Sequence, residues 1–502
     1  MSFSDATAVD NPTFLLDAVC PLEALVEHSA REGRPLREME RRILDSVLDI
    51  GRRCVDWFIT LQGDGDLGET VTTANLTVLV RSPEPAGRPL RTVFGEHVAR
   101  AFVYGRGPKQ AIEFRPVDAR MQLPGGRFSR LFQEFAQLFC VEQAFGPAAE
   151  SFQIVFRQKV SVNSLERISR DSGDSAESFL YDLPVPPAET EGKILVLAAD
   201  GKGVPMTRES ADPVTPFDRR EFPGDRQMAI LAGVYSVDPH PRTPEQILDA
   251  LFREKSSEPP PKRPVPAGKV VVGCLTRDDR GGEPMPADIQ AFAWAAEQVR
   301  LRHRPGRPLI RLMDGQPSLW TTSAVCLGET RTTVDILDII HVAGRVWEAA
   351  KLFHSHREHQ EAFARDRLGR ILNGQVGGVI SGLRRKATLD GVSKKDRAVL
   401  ERICHSFENN RSRMRYGDYL REGYPIATGV IEGACRHLVM DRMCRTGMRW
   451  TRAGSQAMLH VRAVHQAGLA DPFHAHHAAV EVRKLHPHND PLKNYQPFEL
   501  CG

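Results

Sequence analysis

Apolar residues change their spacing along the chain. Up to about Phe145 a helical stretch, LREMERRILDSVLDIGRRCVDWF, is followed by segments in which apolar and polar residues alternate, TVTTANLTVLV and EHVARAFVYG, which predict half-buried strands. Beyond Lys193 the alternation gives way to continuous apolar runs: KILVLAAD, QMAILAGVYSV, KVVVGCLT, PLIRLMDG and TVDILDIIHV. Each is short enough for a strand and reads as buried on both faces. A helix, ADIQAFAWAAEQVRLRH, lies between the third and fourth. Three strands in succession, then strands reached through helices, predict a mixed sheet with helices packed on it, an α/β fold. From about Ala343 to Leu420 the pattern is helical and polar or basic, which predicts an all-α insertion. The helix GVIEGACRHLVMDRMCR follows, with Ile431, Ala434, Cys435 and Leu438 on its buried stripe and Glu432 at the border.

Two further segments divide the chain. AAESFQIVFRQKVSVNSLERISRDSG predicts a helix with Phe152, Val155 and Phe156 inward, a turn at Lys159 and Val160, and a second helix with Ser161 as N-cap and Leu165 and Ile168 inward. That is the outline of a helix-turn-helix, although two short amphipathic helices also occur in many α-rich domains. YDLPVPPAETEG, rich in proline, breaks any regular element. The expected organisation is an α+β domain over 1–145, a helix-turn-helix segment over 146–180 and a linker over 181–192. The mixed-sheet core follows over 193–342, interrupted by the insertion over 343–428 and resumed over 429–470, with a His-rich, poorly ordered tail over 471–502.

The 502 residues suffice for about three domains. No apolar run reaches the roughly 18 residues of a membrane span, and the N-terminus lacks a basic region ahead of an apolar one, so a cytoplasmic protein without membrane contact is expected. Nine scattered cysteines without a CxxC pair indicate neither a zinc ribbon nor a disulfide framework. The net charge of +3 conceals an asymmetry: between Lys351 and Arg452, 21 Lys and Arg stand against 11 Asp and Glu. Such an excess suits a polyanion, and equally a solvated helix surface.

Three acids share a context. Asp200 and Asp314 each end an apolar strand and precede glycine, and Glu432 precedes Gly433 on the helix after the insertion. More than a hundred residues separate each from the next, so only the sheet can bring them together, as neighbouring strand ends about 5 Å apart would. Each acid taken singly reads more simply as a strand-end residue capping a turn. A cluster of three is unfavourable unless cations fill it, and hard oxygen donors suit Mg²⁺ or Mn²⁺, two ions per site.

VLAADGKGVPM, GVYSVDPHPRTPEQILDALF, LMDGQPSLW, VDILDIIHV and GYPIATGVIEGACRHLVMDRMCRTGMRWTRAGSQAML together resemble the DDE transposases of bacterial insertion sequences, in particular the ISKra-type group related to the ISL-type and Mutator-like enzymes. The resemblance covers most of 194–464. It implies an RNase H-like catalytic core interrupted by an all-α insertion, with Asp200, Asp314 and Glu432 as catalytic acids and metal ligands. It implies double-stranded DNA, both transposon ends and target, as partner, and at least a homodimer to synapse two ends. Related families place an Asp or Cys three residues before a His near the strand after the second acid, which DIIH matches with Asp338 and makes His341 a helper at the scissile phosphate. Paired N-terminal cysteines, found in many members, are missing here. Arg436, Arg442, Arg445, Arg449 and Arg452 suit phosphate contacts, and Trp450 suits stacking on an extruded base or simple packing.

Other signals carry less. GDGDLG formally matches a dinucleotide-binding pattern, but strand-like sequence follows it and its acids would repel phosphate. His354, His356 and His359 lack helical zinc spacing, and no Walker A motif or G-x-S-x-G elbow occurs. Two alternatives to a transposase remain: an RNase H-like nuclease or resolvase without strand transfer, and a catalytically silent helix-turn-helix regulator.

Overall fold

The computed structural model describes residues 11–107, 110–207, 226–254, 262–278, 282–328, 333–495 and 497. Part of the proline-rich loop expected between the second and third core strands lies outside them. The chain divides into two compact units, Met1–Ser175 with Ala470–Gly502, and Ala176–Leu469.

The larger unit is built on one five-stranded sheet. Its strands are β1 (Ile194–Pro205), β2 (Arg226–Val237), β3 (Ala267–Cys274), β4 (Leu309–Met313) and β5 (Thr333–Leu337). Their spatial order is β5-β4-β1-β2-β3. β4 runs parallel to β1 and to β5, whereas β2 is antiparallel to both β1 and β3. Every residue from Ile194 to Ala199 is buried, the burial of a central strand covered on both faces. β1 does not stop at Asp200 as its apolar run suggests; Gly201 to Pro205 continue paired with Met228, Gln227 and their neighbours on β2. Helices pack against the sheet: α2 (Ala287–Arg302) on β1, β2 and β3, α9 (Gly429–Ala434) on β1 and β2, and α10 (Arg452–Gln466) on β3. α1 (Pro244–Phe252) follows β2, and α3 (Pro317–Leu327) connects β4 to β5.

The insertion starts without a break. TVDILDIIHV is strand only to Leu337; Asp338 then caps α4 (Ile339–Phe353), accepting from the Ile340 amide, so the helix leaves the edge strand directly. α5 (Arg357–Leu372), α6 (Val376–Leu389) and α7 (Lys394–Asn409) pack on α4 and on one another through buried Leu368, Ile371, Leu383, Leu400, Ile403 and Phe407. α8 (Tyr416–Arg421) brings the chain back: Tyr416 and Tyr419 hydroxyls donate to the carbonyls of Leu337 and Asp335, satisfying edge-strand groups that water or another chain would otherwise take.

At the start of β1, Glu191 holds the opposite end of the sheet together. Its side chain and that of Arg302 are each 1% exposed, and it accepts from Arg302 Nε at 2.8 Å and Arg307 Nη1 at 2.9 Å. Arg302 also donates to the Gly268 carbonyl and Arg307 to that of Gly192.

In the smaller unit two helices, Asn11–Arg31 and Leu36–Thr60, precede short antiparallel strands. The alternating segments become Thr70–Thr72, Val78–Arg81, Gly95–Ala101 and Tyr104–Gly105. GDGDLG is a turn: Asp64 and Asp66 accept from the amides of Asp66 and Gly68, and Gly63, Gly65 and Gly68 all have positive φ. Helices at Phe145–Phe156 and Val162–Tyr181 flank the turn expected at Lys159 and Val160, with Ser161 Oγ accepting from the Ser164 amide. Phe152, Leu165 and Ile168 are buried, but Val155 is exposed. The His-rich segment, expected to be poorly ordered, is helical over Ala470–Leu485 because Phe473 and His477 turn inward while Glu481 pairs with Arg130. Among the described residues no helix is long and apolar enough to cross a membrane.

Removing the charge of Glu191 leaves two buried guanidiniums without their acid. Glu191→Gln is expected to destabilise the larger unit by about 3 kcal/mol, measured as a lower denaturant midpoint of its unfolding transition at unchanged slope.

Candidate active site

The sheet register aligns three aspartates. Met313 of β4 is paired with Ala199 of β1 on one side and with Leu337 of β5 on the other, so Asp200, Asp314 and Asp338 occupy the next position of three neighbouring parallel strands. The Asp338 amide donates to the Met313 carbonyl at 2.9 Å, carrying the alignment past the last paired residues. Asp200 is held from two sides: Oδ1 accepts from the Gly201 amide at 2.7 Å, and Oδ2 from Cys435 Sγ at 3.5 Å. Asp314 Oδ1 accepts from the Gln316 amide at 2.9 Å, and the Asp314 carbonyl accepts from Trp320 Nε1.

The third acid comes from above the sheet. Ile431 is buried over Gly233 of β2, where a Cβ would press on Val271 of β3 at 3.0 Å and meet Ile431 only at ordinary contact distance. Glu432 is exposed at the border of that contact. Cys435 follows one turn later and reaches Asp200, and the helix there widens into a π-helical turn, Cys435–Met440. Open space lies beside Gly433, whereas a Cβ on Gly201 would meet Met228 Sδ at 3.0 Å, so Gly201 is required by packing against β2 rather than by room for a ligand.

Asp338 ties these pieces together. It is fully buried, and Thr428, the residue before α9, donates a short hydrogen bond from Oγ1 to Asp338 Oδ2. The Thr428 carbonyl accepts from the Glu432 amide. His341, in the first turn of α4, places Nδ1 3.2 Å from Asp338 Oδ2 while its side chain stays 44% exposed.

The four groups sense one another's charge. Burial raises the Asp314 carboxyl, with the charges of Asp200 and Asp338 adding to it against the Gln316 amide. Burial also raises Glu432, helped by Asp338 and Asp200 and opposed by His341. His341 is raised above its ordinary value, first by its hydrogen bond to Asp338 and then by the charges of Asp338, Asp314 and Asp200, against its burial. The Cys435 thiol is raised by burial and by Asp200, so it stays protonated and donates. Among the described residues no three His, Cys, Asp or Glu side chains are gathered tightly enough to hold a metal ion. The donors themselves, two aspartates and an exposed glutamate in a field of like charge, suit a hard divalent cation.

The basic residues expected at phosphates divide. Arg436 is exposed beside Asp441, at 3.6 Å, and Arg445 and Arg449 are exposed, Arg445 Nε donating to the Asp441 carbonyl. Arg452 lies 3.7 Å from Asp278. Arg442 is a correction: it is completely buried, 5.0 Å over the Trp450 ring and donating to Met448 Sδ. Trp450 is the second. It is buried, donates from Nε1 to the Met443 carbonyl, and its backbone bonds Pro205 and Thr207 beyond β1, so packing rather than base stacking occupies it. Thr428 reads as an ordinary residue before a helix and Cys435 as one of its buried stripe, and neither is marked as a partner of the acids until the fold brings the strand ends beside it.

No family model matches the chain, and no curated protein matches it. Among solved structures it is similar to a chain of the Drosophila P element transposase strand transfer complex, at 14% identity over 69% of this chain and 80% of that one, with a TM-score of 0.23.

A carboxyl whose pKa is raised on folding carries no penalty while both states are protonated, and destabilises the fold once the pH exceeds its folded value. Asp314→Asn keeps the acceptor for Gln316 and removes the charge. The metal-free variant is expected to be more stable than the wild type at pH 7, by on the order of 1 kcal/mol, with the gain vanishing toward pH 3 in thermal melts.

Proposed function

We propose that the chain is a metal-dependent DDE transposase, which cleaves DNA strands at transposon ends and joins the freed 3′-hydroxyls to target DNA. The observation that carries the reading is that Asp200 and Asp314 stand at equivalent positions of neighbouring parallel strands, with Glu432 on the helix packed against β1 and β2. The strand order β5-β4-β1-β2-β3, with only β2 reversed, is the one expected of an RNase H-like core. An all-α segment between the second and third acids also fits that reading.

Two Mg²⁺ or Mn²⁺ ions held by Asp200, Asp314 and Glu432 would activate the attacking water or 3′-hydroxyl and stabilise the leaving oxygen. The remaining work falls to the chain's own groups. The Gly201 amide and the Cys435 thiol fix the Asp200 carboxylate. His341, drawn toward its charged form first by its hydrogen bond to Asp338, faces solvent where a phosphate would enter. Exposed Arg436, Arg445 and Arg449 lie beyond Glu432 along the chain and suit the DNA backbone. Double-stranded DNA is then the partner, two ends require at least a dimer, and the bacterial cytoplasm is the setting.

The reading is tested with purified protein on DNA carrying the transposon ends. Asp200→Asn is expected to lower Mg²⁺-dependent strand cleavage at least about 10³-fold while end binding persists. Mg²⁺ or Mn²⁺ should raise the melting temperature of the wild type and not of Asp200→Asn or Glu432→Gln. Cleavage that survives in Asp200→Asn removes the assignment of the acids, and cleavage without joining by the wild type replaces the transposase with a nuclease.

A further inference from the structure

The all-α insertion meets the loop after β2 at a cavity of about 800 Å³, lined by Arg242, Arg411, Arg415 and Arg421 against a single acid, Asp418. Asp418 is engaged by Arg421. Among the described residues the other three have no carboxylate partner. Arg242 donates to the carbonyls of His240 and Tyr424, Arg415 lies 5.8 Å from the Tyr419 ring, and Arg411 lies against Gly377, where a Cβ would come within 3.1 Å of Nη2.

A partly buried guanidinium without a counter-ion is costly, and that cost is visible at Arg242, whose pKa falls to about 10 through burial and the nearby charge of Arg263. The N-terminus of α6 adds to the same field. Gln375 caps it without a side-chain hydrogen bond, so its first amides are left for a ligand or water. Hydrogen-bonded neutral residues would fill this space at lower cost, and the arrangement is therefore that of a site for an external anion.

Geometry narrows the kind of anion. No aromatic ring lines the cavity to take the base of a free nucleotide, and Arg411 and Arg415 are exposed, so the charge faces an open groove rather than an enclosed ligand. The cavity is also distinct from the carboxylates. Its lining includes none of Asp200, Asp314, Asp338 and Glu432, although its walls reach toward them: Arg242 donates to the carbonyl of Tyr424, two residues before Ile426, whose carbonyl accepts from the Ile339 amide beside Asp338, and Asn410, which precedes Arg411, lies against Gly315.

We propose that Arg242, Arg411 and Arg415 form a second anchor for DNA, binding backbone phosphates of the duplex beside the stretch engaged by the carboxylates. The inference rests on the DNA-processing reading above, but concerns a different surface.

The probe is a mixed-sequence DNA duplex of about 40 base pairs, titrated by fluorescence anisotropy across a salt series, since backbone contacts are independent of sequence. Arg411→Gln/Arg415→Gln changes only exposed side chains, and Arg242→Gln is the second variant because Arg242 also supports its loop. Lys394→Gln/Lys395→Gln removes the same charge elsewhere on the insertion and serves as the control. The first double variant is expected to lower the slope of log affinity against log salt by about 2 and to weaken binding roughly tenfold or more near 0.1 M salt, at an unchanged melting temperature. A slope equal to the wild type's overturns the proposal, and so does an equal loss in the lysine control, which would mean diffuse attraction. Inorganic phosphate bound by the wild type and lost in the arginine variants, with DNA binding unaffected, makes the pocket a small-anion site and also overturns it. Wild-type protein that binds no duplex at any salt removes the DNA-processing reading itself, an outcome separable from failure of the pocket alone.

Discussion

The hydrogen bond from Thr428 to the buried Asp338 carboxylate closes an excursion of ninety residues. Asp338 begins α4 at the end of β5, and Thr428 precedes the helix that carries Glu432. Between them the chain forms the entire insertion. The Ile339 amide donating to the Ile426 carbonyl adds a second link beside the first. A buried charge cannot be left without donors, so Asp338 forces both ends of the insertion to the same point. Where Glu432 stands relative to Asp200 and Asp314 follows from that closure. The insertion can vary in length or shape without moving the third acid, provided its ends return to Asp338.

The closure has an electrostatic consequence. Two full charges about 5 Å apart at an effective dielectric of 20 repel by about 3 kcal/mol, a large fraction of the stability of an ordinary domain. The chain meets this in three ways. Asp338 is met in place by hydrogen bonds from Thr428 and the Ile340 amide and by the His341 ring. Asp200 receives a neutral donor, Cys435, whose thiol the same carboxylate keeps protonated. Asp314 and Glu432 are left with raised pKa values, a conflict that remains in the folded chain and that a divalent cation would relieve. Conflict retained at one place in an otherwise well-satisfied sheet is what a binding site costs a fold.

Much of this sheet was legible in the sequence, because buried strands write themselves as unbroken apolar runs. KILVLAAD, QMAILAGVYSV and PLIRLMDG became β1, β2 and β4, and the acids that end two of those runs stand side by side. Boundaries were less legible. Hydrophobicity alone does not separate strand from helix in TVDILDIIHV, and Asp338 in its middle is the cap at which one becomes the other. Single residues were least legible where two roles share one residue type. Arg442 and Trp450 carry the side chains of a DNA surface, yet a guanidinium stacked on an indole fills a core as well as it contacts phosphate, and only burial distinguishes the two. The arginine pocket was only half visible: Arg411 and Arg415 belong to the local excess of positive charge between Lys351 and Arg452, whereas Arg242 lies well before it.

The same excess acquires a meaning once the charges are placed. Most arginines of the insertion are consumed internally: Arg384 bridges Glu401 and Glu408, Arg365 reaches Asp249 and Glu254, and Arg370 and Arg367 share Asp366. A count of basic residues therefore overstates the charge that a polyanion meets, and exposed pairs of this kind add little to stability. What distinguishes Arg242, Arg411 and Arg415 from other arginines without an acid is that these three line one cavity. The acids without cations gather at the ends of β1 and β4, and the cations without acids line the cavity between the insertion and the loop after β2. A folded chain of net charge +3 that leaves both kinds unsatisfied, rather than letting them pair, keeps each for something outside itself.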